Sequence, residues 1–426
     1  MVIKKVLFFI FLFFCYYIST AQTIFYDDIH LMDYQRTRQL LNDSNGVIPN
    51  SFLIRSTSTF QFLQSKLKGT TKDVMQSVNF TFDQQNNSLL PISFNDGNMY
   101  PSRGWQERYS YGVNLKLLFF DINYQPEKLT VQNLTQEYYA GNTGDGNFMF
   151  KYFGMTANHI DNFRQFGYDR IEETTLGQSR AGIKFKYMAA GISNENIWWG
   201  PSIRNSIMMS NHARGFKHIT FNTIKPVETK IGNFEWQVIS ARLESSGYNQ
   251  SGYDKSNAGR PIYVPKINQL GETDDWRYMQ ALLFSYSPKW IDGLSLGYIR
   301  WVQFYSALVE GRYTWMNGNT SYLPVFSNLF RKNDTNASHE AQIDQAAGLF
   351  FRWLWKESNT EIYSEYHFND SKVNLRDLLL DSKHARAFTI GLQKYFSKNS
   401  IKFNFEWTQM EQTGGRLLRS AGSWYQ

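Results

Sequence analysis

The sequence predicts an all-β protein, a transmembrane antiparallel β-barrel of roughly 16–18 strands with a short N-terminal helix. Three observations predict it. Apolar and polar residues alternate with a period of two in one segment after another. The connections between those segments alternate between short and long. An export signal precedes a chain that, once processed, holds no cysteine.

The alternation is clearest near the C-terminus. Ile401, Phe403, Phe405 and Trp407 face one side, and Lys402, Asn404 and Glu406 the other. Phe388, Ile390, Leu392 and Phe396 oppose Thr389, Gly391 and Gln393. Leu349, Phe351, Trp353 and Trp355 oppose Gly348, Arg352 and Lys356, while Ile362, Tyr366 and Phe368 oppose Glu361, Glu365 and His367. Period-two segments with one apolar and one charged face suit either a soluble sandwich or a barrel whose apolar face meets lipid.

Connection lengths decide between them. Short turns at 225–232, 287–293, 356–360 and 397–400 alternate with long polar segments at 245–275, 306–345 and 369–385. Short connections on one side and long ones on the other mark a transmembrane barrel, short turns being periplasmic and long loops extracellular. The strand near 218–224 runs down into a short turn, so the segment before it, 191–217, belongs to the extracellular end. Dividing about 405 mature residues by ~22 per strand and connection gives the strand number. By the same parity 401–410 runs upward, whereas an even-stranded barrel returns to the periplasm. The chain therefore reads as a C-terminal fragment lacking its closing strand or strands.

The remaining composition fits. Aromatics make up 17% of the chain, with 26 Tyr, 34 Phe and 12 Trp, yet the mean hydropathy is −0.46. Many half-apolar strands need such a mixture. Lys4 and Lys5, the apolar run 6–18 and the small residues Ser19 and Ala21 form a secretory signal cleaved before Gln22. The only cysteine, Cys15, lies within it, so disulfides, thiol catalysis and cysteine-held metals are excluded from the mature chain. Segment 27–43 (DDIHLMDYQRTRQLLND) predicts a short amphipathic helix. The organisation is thus a signal peptide at 1–21, a short helical periplasmic segment at 22–48 and an outer-membrane barrel at 49–426, expected as a monomer in lipid. The charge is +7, or +5 without Lys4 and Lys5. That mild excess is compatible with an anionic glycan or lipid, and export makes a nucleic-acid partner improbable.

One stretch stands apart: GISNENIWWGPSIRNSIMMSNHARGFKHITFNTIKPVE, residues 191–228. It concentrates aromatic, amide and guanidinium groups that each need a partner when buried. Trp198 and Trp199 could stack on the apolar face of a pyranose ring. Arg204 and Arg214 could fork onto a carboxylate or phosphate of an acidic sugar, with Glu195, Asn205 and Asn211 meeting hydroxyls. His212 is a weaker candidate. The bland reading makes the tryptophans an interfacial girdle and the arginines a lumen charge network, and composition alone favours neither.

No catalytic group is expected. Ser210 and His212 share a face but lack an orienting acid. Glu361, Glu365 and His367 could suggest glycosidase carboxylates, and a solvated lumen column explains them better. The seven histidines show no metal spacing, and no cofactor is implied.

ISNENIWWGPSIRNS at 192–206, SNHARGF at 210–216, KPV at 225–227 and IG at 231–232 resemble the capsule assembly family typified by Wzi, in its Bacteroidetes branch. The specific part of that match spans about 60 residues. The resemblance implies an outer-membrane barrel of about eighteen strands with helical elements toward the periplasm. It also implies a lectin activity that ties capsular polysaccharide or exopolysaccharide to the cell surface. The SWY ending at 423–425 looks like an interior motif of that family. Alternatives from another class are a diffusion channel constricted by the Trp-Arg loop, or an accessory of gliding motility and adhesion.

Overall fold

The computed structural model describes residues 28–41, 51–52, 75–88, 91, 93–134, 166, 169–244, 276–305, 343–369, 386–396 and 401–410. The expected signal (1–21) and the terminal 423–426 lie outside them, as do most of the long connections.

Among the described residues one α-helix, α1 (Asp28–Leu40), precedes sixteen strands. These are β1 (Met75–Asn87), β2 (Gly104–Leu117), β3 (Phe120–Tyr124), β4 (Glu127–Val131), β5 (Ile171–Thr175), β6 (Arg180–Lys184), β7 (Met188–Ser193) and β8 (His218–Thr223). They continue as β9 (Val227–Glu228), β10 (Gly232–Leu243), β11 (Arg277–Pro288), β12 (Leu294–Tyr305), β13 (Ile343–Trp355), β14 (Thr360–Asn369), β15 (Arg386–Phe396) and β16 (Ile401–Met410). All lie in one antiparallel sheet.

Three interruptions hide a simpler plan. β3 and β4 both pair with β2, and they pair in turn with β6 and β5. The breaks at Gln125–Pro126 and at 176–179 lie side by side, bridged at Gln125 and Gly177. Proline has no N–H for the ladder, which makes Pro126 a natural place to break it. Pro226 sits likewise between β8 and β9, which share β10 as partner. Taken as continuous, the segments form an up-and-down meander of thirteen spans. β1 and β16 each have one partner strand among the described residues, so the sheet is not closed. The all-β antiparallel architecture is as expected; a closed wall of 16–18 spanning strands is not what is observed.

Connection parity holds along the whole meander. The strand ends joined by the short connections 118–119, 185–187, 229–231, 289–293, 356–359 and 397–400 lie at one end of the sheet, and those joined by the longer connections 88–103, 132–170, 194–217, 244–276, 306–342 and 370–385 at the other.

The polarity of the sheet is inverted relative to a water-soluble protein. Along β14 the buried positions are Glu361, Tyr363, Glu365, His367 and Asn369. The outward positions of neighbouring strands carry Leu349, Ile390, Phe403, Phe405 and Trp407, all exposed. Exposed contiguous apolar surface with buried charge is stable only where lipid replaces water outside. The band ends at the β3–β4 break: outward residues are Phe120, Ile122 and Tyr124 below it, and Lys128 and Thr130 above it. No described helix is long and apolar enough to cross a membrane.

Inside, α1 lies at the short-turn end with Gln35, Arg36, Gln39 and Leu40 buried. Lys402 donates to the Asp33 carboxylate and, at 2.9 Å, to the Thr37 hydroxyl. Three interior glycines, Gly297, Gly348 and Gly391, each lie beneath a ring on the strand paired with them, from Phe350, His367 and Tyr363. Any Cβ there would strike the ring, so the pairs fill the interior in a way that cross-strand neighbours alone allow.

Leu349 is 65% exposed on the outward face. Leu349→Lys is expected to cost about 2–4 kcal/mol of stability in lipid vesicles, read as loss of the folded, heat-modifiable electrophoretic form. Thr130→Lys, above the break, is expected to change little; equal tolerance of both would exclude a lipid-facing wall.

Candidate functional site

The 194–217 connection leaves β7 at the long-loop end and turns into the interior. Trp199 is 0% exposed and its indole N–H donates to Gln237 Oε1 at 2.8 Å. It packs in an apolar cluster with Ile197, Ile239, Met279, Leu283 and Phe350. Its backbone N–H donates to the Met209 carbonyl at 3.1 Å, closing the loop on itself. Trp198 is half-buried, donating to the Ser202 carbonyl at 3.0 Å beside a cavity of about 30 Å³ lined also by Arg180, Glu195, His218 and Asn222.

Gly200 makes the inward turn possible. Its φ is +128°, and a Cβ would lie 2.2 Å from Glu365 Oε1. Only glycine accepts both the backbone angle and that approach.

Two wall carboxylates hold the turn. Glu365 of β14 accepts from Ser202 N at 2.9 Å and Ile207 N at 3.4 Å, and lies 3.0 Å from His367 Nε2. Glu406 of β16 accepts from Ile203 N at 2.7 Å, Arg204 N at 3.2 Å, Asn205 N at 2.8 Å and the Tyr363 hydroxyl at 2.7 Å. Successive backbone N–H groups form a concave anion site, and here the anion is supplied by the barrel wall. The fully buried Glu365 and the half-buried Glu406 both have donors, and each donor has an acceptor, which lowers the cost of withdrawing either from water.

A third carboxylate joins this loop to α1. Glu361 accepts from Arg352 Nε at 3.1 Å and Nη2 at 3.0 Å, and also from Arg36 of the helix. Arg36 Nη1 donates at 2.6 Å to the Pro201 carbonyl, one residue past the glycine. Burial is the largest single influence and opposes the Arg36 charge, but Glu361, Tyr363 and Asp33 together outweigh it and raise the guanidinium pKa. The expected solvated column of Glu361, Glu365 and His367 is corrected: all three are fully buried and committed to holding the loop and helix.

The sequence candidates separate into two groups. Trp199 and Glu195 are interior; Glu195 is 3.8 Å from Arg180 and accepts from the Ser193 hydroxyl. Trp199 offers no surface to a sugar, so its ring serves packing; the stretch leaves the wall at the long-loop end as expected, and its part from Ile197 to Ile207 turns inward rather than staying at the mouth. Arg204, His212 and Arg214 are exposed, Asn205 half-buried and Asn211 buried. A second loop meets them. Asn95 Nδ2 donates to the Arg204 carbonyl at 2.5 Å, and Gly97 N to the Asn211 carbonyl at 2.8 Å. Arg214 pairs with Glu173 at 3.0 Å, and Glu173 also accepts from Tyr100. Phe94 on this second loop is 49% exposed. The 93–100 loop was missed in the sequence because nothing local links it to residues more than a hundred positions away. Among the described residues no cluster of metal ligands occurs.

The family model described as capsule assembly protein Wzi matches residues 122–426. The chain belongs to that family. The matched span takes in the plug loop, Glu361, Glu365 and Glu406. It excludes the helix and the 93–100 loop. No curated protein sequence matches the chain. A solved structure of Wzi, described as an outer-membrane protein involved in group 1 capsule assembly in Escherichia coli and a carbohydrate-binding β-barrel, aligns with a TM-score of 0.47. It is 14% identical, with 88% of this chain and 69% of that chain covered, and the family assignment does not rest on it.

Glu406→Ala is expected to free the 203–205 backbone while leaving the wall intact. Limited trypsin digestion then cuts after Arg204 at least about tenfold faster than in the parent, the change that loss of one charge-assisted contact brings. The folded electrophoretic form persists. Unchanged cleavage would mean that Glu406 does not hold the loop.

Proposed function

We propose that this protein sits in the outer membrane, binds surface polysaccharide and helps assemble or retain capsule or exopolysaccharide at the cell surface. The observation that carries the reading is the membership of 122–426 in the capsule assembly family, combined with what that span builds. A rigid loop, its backbone satisfied by Glu365 and Glu406, leaves the Arg204, His212 and Arg214 side chains exposed beside Asn205 and, across the loop contact, Phe94. Guanidinium forks, amides and an aromatic face are the groups that an acidic sugar chain uses. Because the loop is held before the ligand arrives, little ordering free energy is lost on binding.

Each candidate then has its part. Arg204 and Arg214 contact acidic groups, Asn205 and Asn211 bind hydroxyls or shape the loop contact, and Trp198 lines the inner flank. Trp199 and Glu195 hold the fold of the plug. Among the described residues, Glu361 and Glu365 are engaged with arginines and backbone rather than forming a free acid pair of the kind glycoside hydrolysis uses. A diffusion channel is the poorer reading, since α1 and the plug loop meet inside the wall at Arg36 and Pro201. A role in gliding or adhesion would draw on the same polysaccharide binding.

Deleting the gene is expected to release polysaccharide into the medium without reducing its synthesis; unchanged cell-bound polymer would overturn the reading. Arg204→Ala/Arg214→Ala is expected to weaken binding of the purified protein to that polymer about tenfold or more, with salt weakening the parent similarly. Ion conductance across planar bilayers would favour the channel.

A further inference from the structure

The outward face carries a feature that polysaccharide binding does not use. At one height, Ile122, Ala181, Ile192, Ile219 and Ser240 form a row across β3, β6, β7, β8 and β10. The row holds the exposed isoleucines Ile122, Ile192 and Ile219 and the small side chains of Ala181 and Ser240. Tyr124 and Leu176 flank the row on one side, Trp276 and Tyr278 on the other, and the groove between them has a volume of about 580 Å³. That size lies in the range of small-molecule sites, and its lining is apolar.

The groove ends in cations. Lys217 and Arg242 are neighbours at its long-loop end, Arg242 N donating to the Lys217 carbonyl at 3.0 Å. The Arg242 guanidinium lies over the Trp276 ring at 4.6 Å from its centre, which fixes its position. Both cations share a single carboxylate, Glu244, at 3.7 and 3.0 Å, so one positive charge is in excess. Both side chains are more than half exposed.

We propose that this groove holds the acyl chains of a phosphorylated glycolipid of the outer leaflet, with Lys217 and Arg242 on its phosphate. The proposal rests on reading the sheet as an outer-membrane wall with long loops outside. Position then selects the ligand. The groove opens outward, at the top of the apolar band, where acyl chains give way to headgroups. An ammonium and a guanidinium beside an aromatic ring at that boundary suit a phosphate anion rather than a zwitterion with no net charge to offer. An alkyl ligand meets Ile192 and Ile219 as it would meet other chains, and the phosphate contacts supply the preference for one lipid over its neighbours.

The test uses the full chain purified from outer membranes in detergent, with copurified lipid identified and quantified against protein by mass spectrometry. The parent is expected to retain a phosphorylated glycolipid in stoichiometric amount. Lys217→Ala/Arg242→Ala is expected to lower retention about tenfold, the loss expected for charge-assisted phosphate contacts. Ala181→Trp, which fills the groove and keeps both cations, is expected to lower it similarly. Heat-modifiable migration checks folding, and the exposed double variant carries the test alone if the tryptophan variant does not fold. Equal retention in parent and variants, or retention of zwitterionic glycerophospholipid only, overturns the proposal. Polysaccharide binding measured on the same samples is expected to be unchanged, so failure of one reading is seen separately from failure of the other.

Discussion

The structure depends on two wall carboxylates being caged by the backbone of one loop. Glu365 on β14 is fully buried and Glu406 on β16 half-buried, both on the face turned away from lipid, and either carboxylate would be costly there without donors. The turn at 200–207 supplies five backbone N–H groups to them. Conversely, that turn has no ladder partner of its own and would leave those donors orphaned in the interior. The requirement is mutual, and it fixes where the loop lies to within hydrogen-bond tolerance. Gly200 follows from it, since the carboxylate occupies the space where any other residue would place a Cβ.

The same logic extends downward through Glu361. Its two oxygens are shared by Arg352 on the wall and Arg36 on the helix, and Arg36 spans from that carboxylate to the Pro201 carbonyl. Wall, helix and loop are therefore joined by one chain of charged groups, although they lie more than 160 positions apart in sequence. An apolar interior could have filled the space with less desolvation cost. It would not have specified one loop position, because apolar contacts are non-directional whereas a carboxylate in a ring of donors admits a single arrangement. A fixed arrangement serves display of Arg204 and Arg214 better than a mobile loop would.

The wall was legible in the sequence because its rule is local. The period-two alternation in 349–355, 362–368 and 401–407 needs only the pleat of a strand and a difference between its two faces, and connection parity needs only chain order. The α1 helix was visible for the same reason, through its acidic start and the spacing of its apolar residues. The interior was not legible. Tryptophan at a polar, amide-rich stretch signals a wet surface as readily as a packed one, and Trp199 packs because Gln237 and Ile239 lie behind it on another strand. The inward direction of Glu361 and Glu365 could be read from the alternation, but their dryness could not. That depends on whether something fills the lumen, and the filling comes from residues 28–40 and 200–207. The three ring-covered glycines are similar, since register between β12, β13, β14 and β15 decides which aromatic covers which glycine.

The inverted polarity of the wall also sets a limit on where a ligand can be recognised. Within the apolar band, outward side chains meet acyl chains and cannot hold an exposed charge cheaply. Inward side chains there are consumed by the carboxylate network. Exposed basic side chains are then favoured on loop surfaces facing water or at the upper boundary of the band. The structure has both: Arg204, His212 and Arg214 on the plug loop, and Lys217 with Arg242 at the boundary. Arg204 and Lys217 stand at the two ends of the short run from 204 to 217, and Arg242 joins Lys217 from β10. One connection therefore carries exposed arginines on the plug and, at its end, the lysine that meets Arg242 at the membrane boundary, where an anionic polymer and an anionic lipid would be met separately.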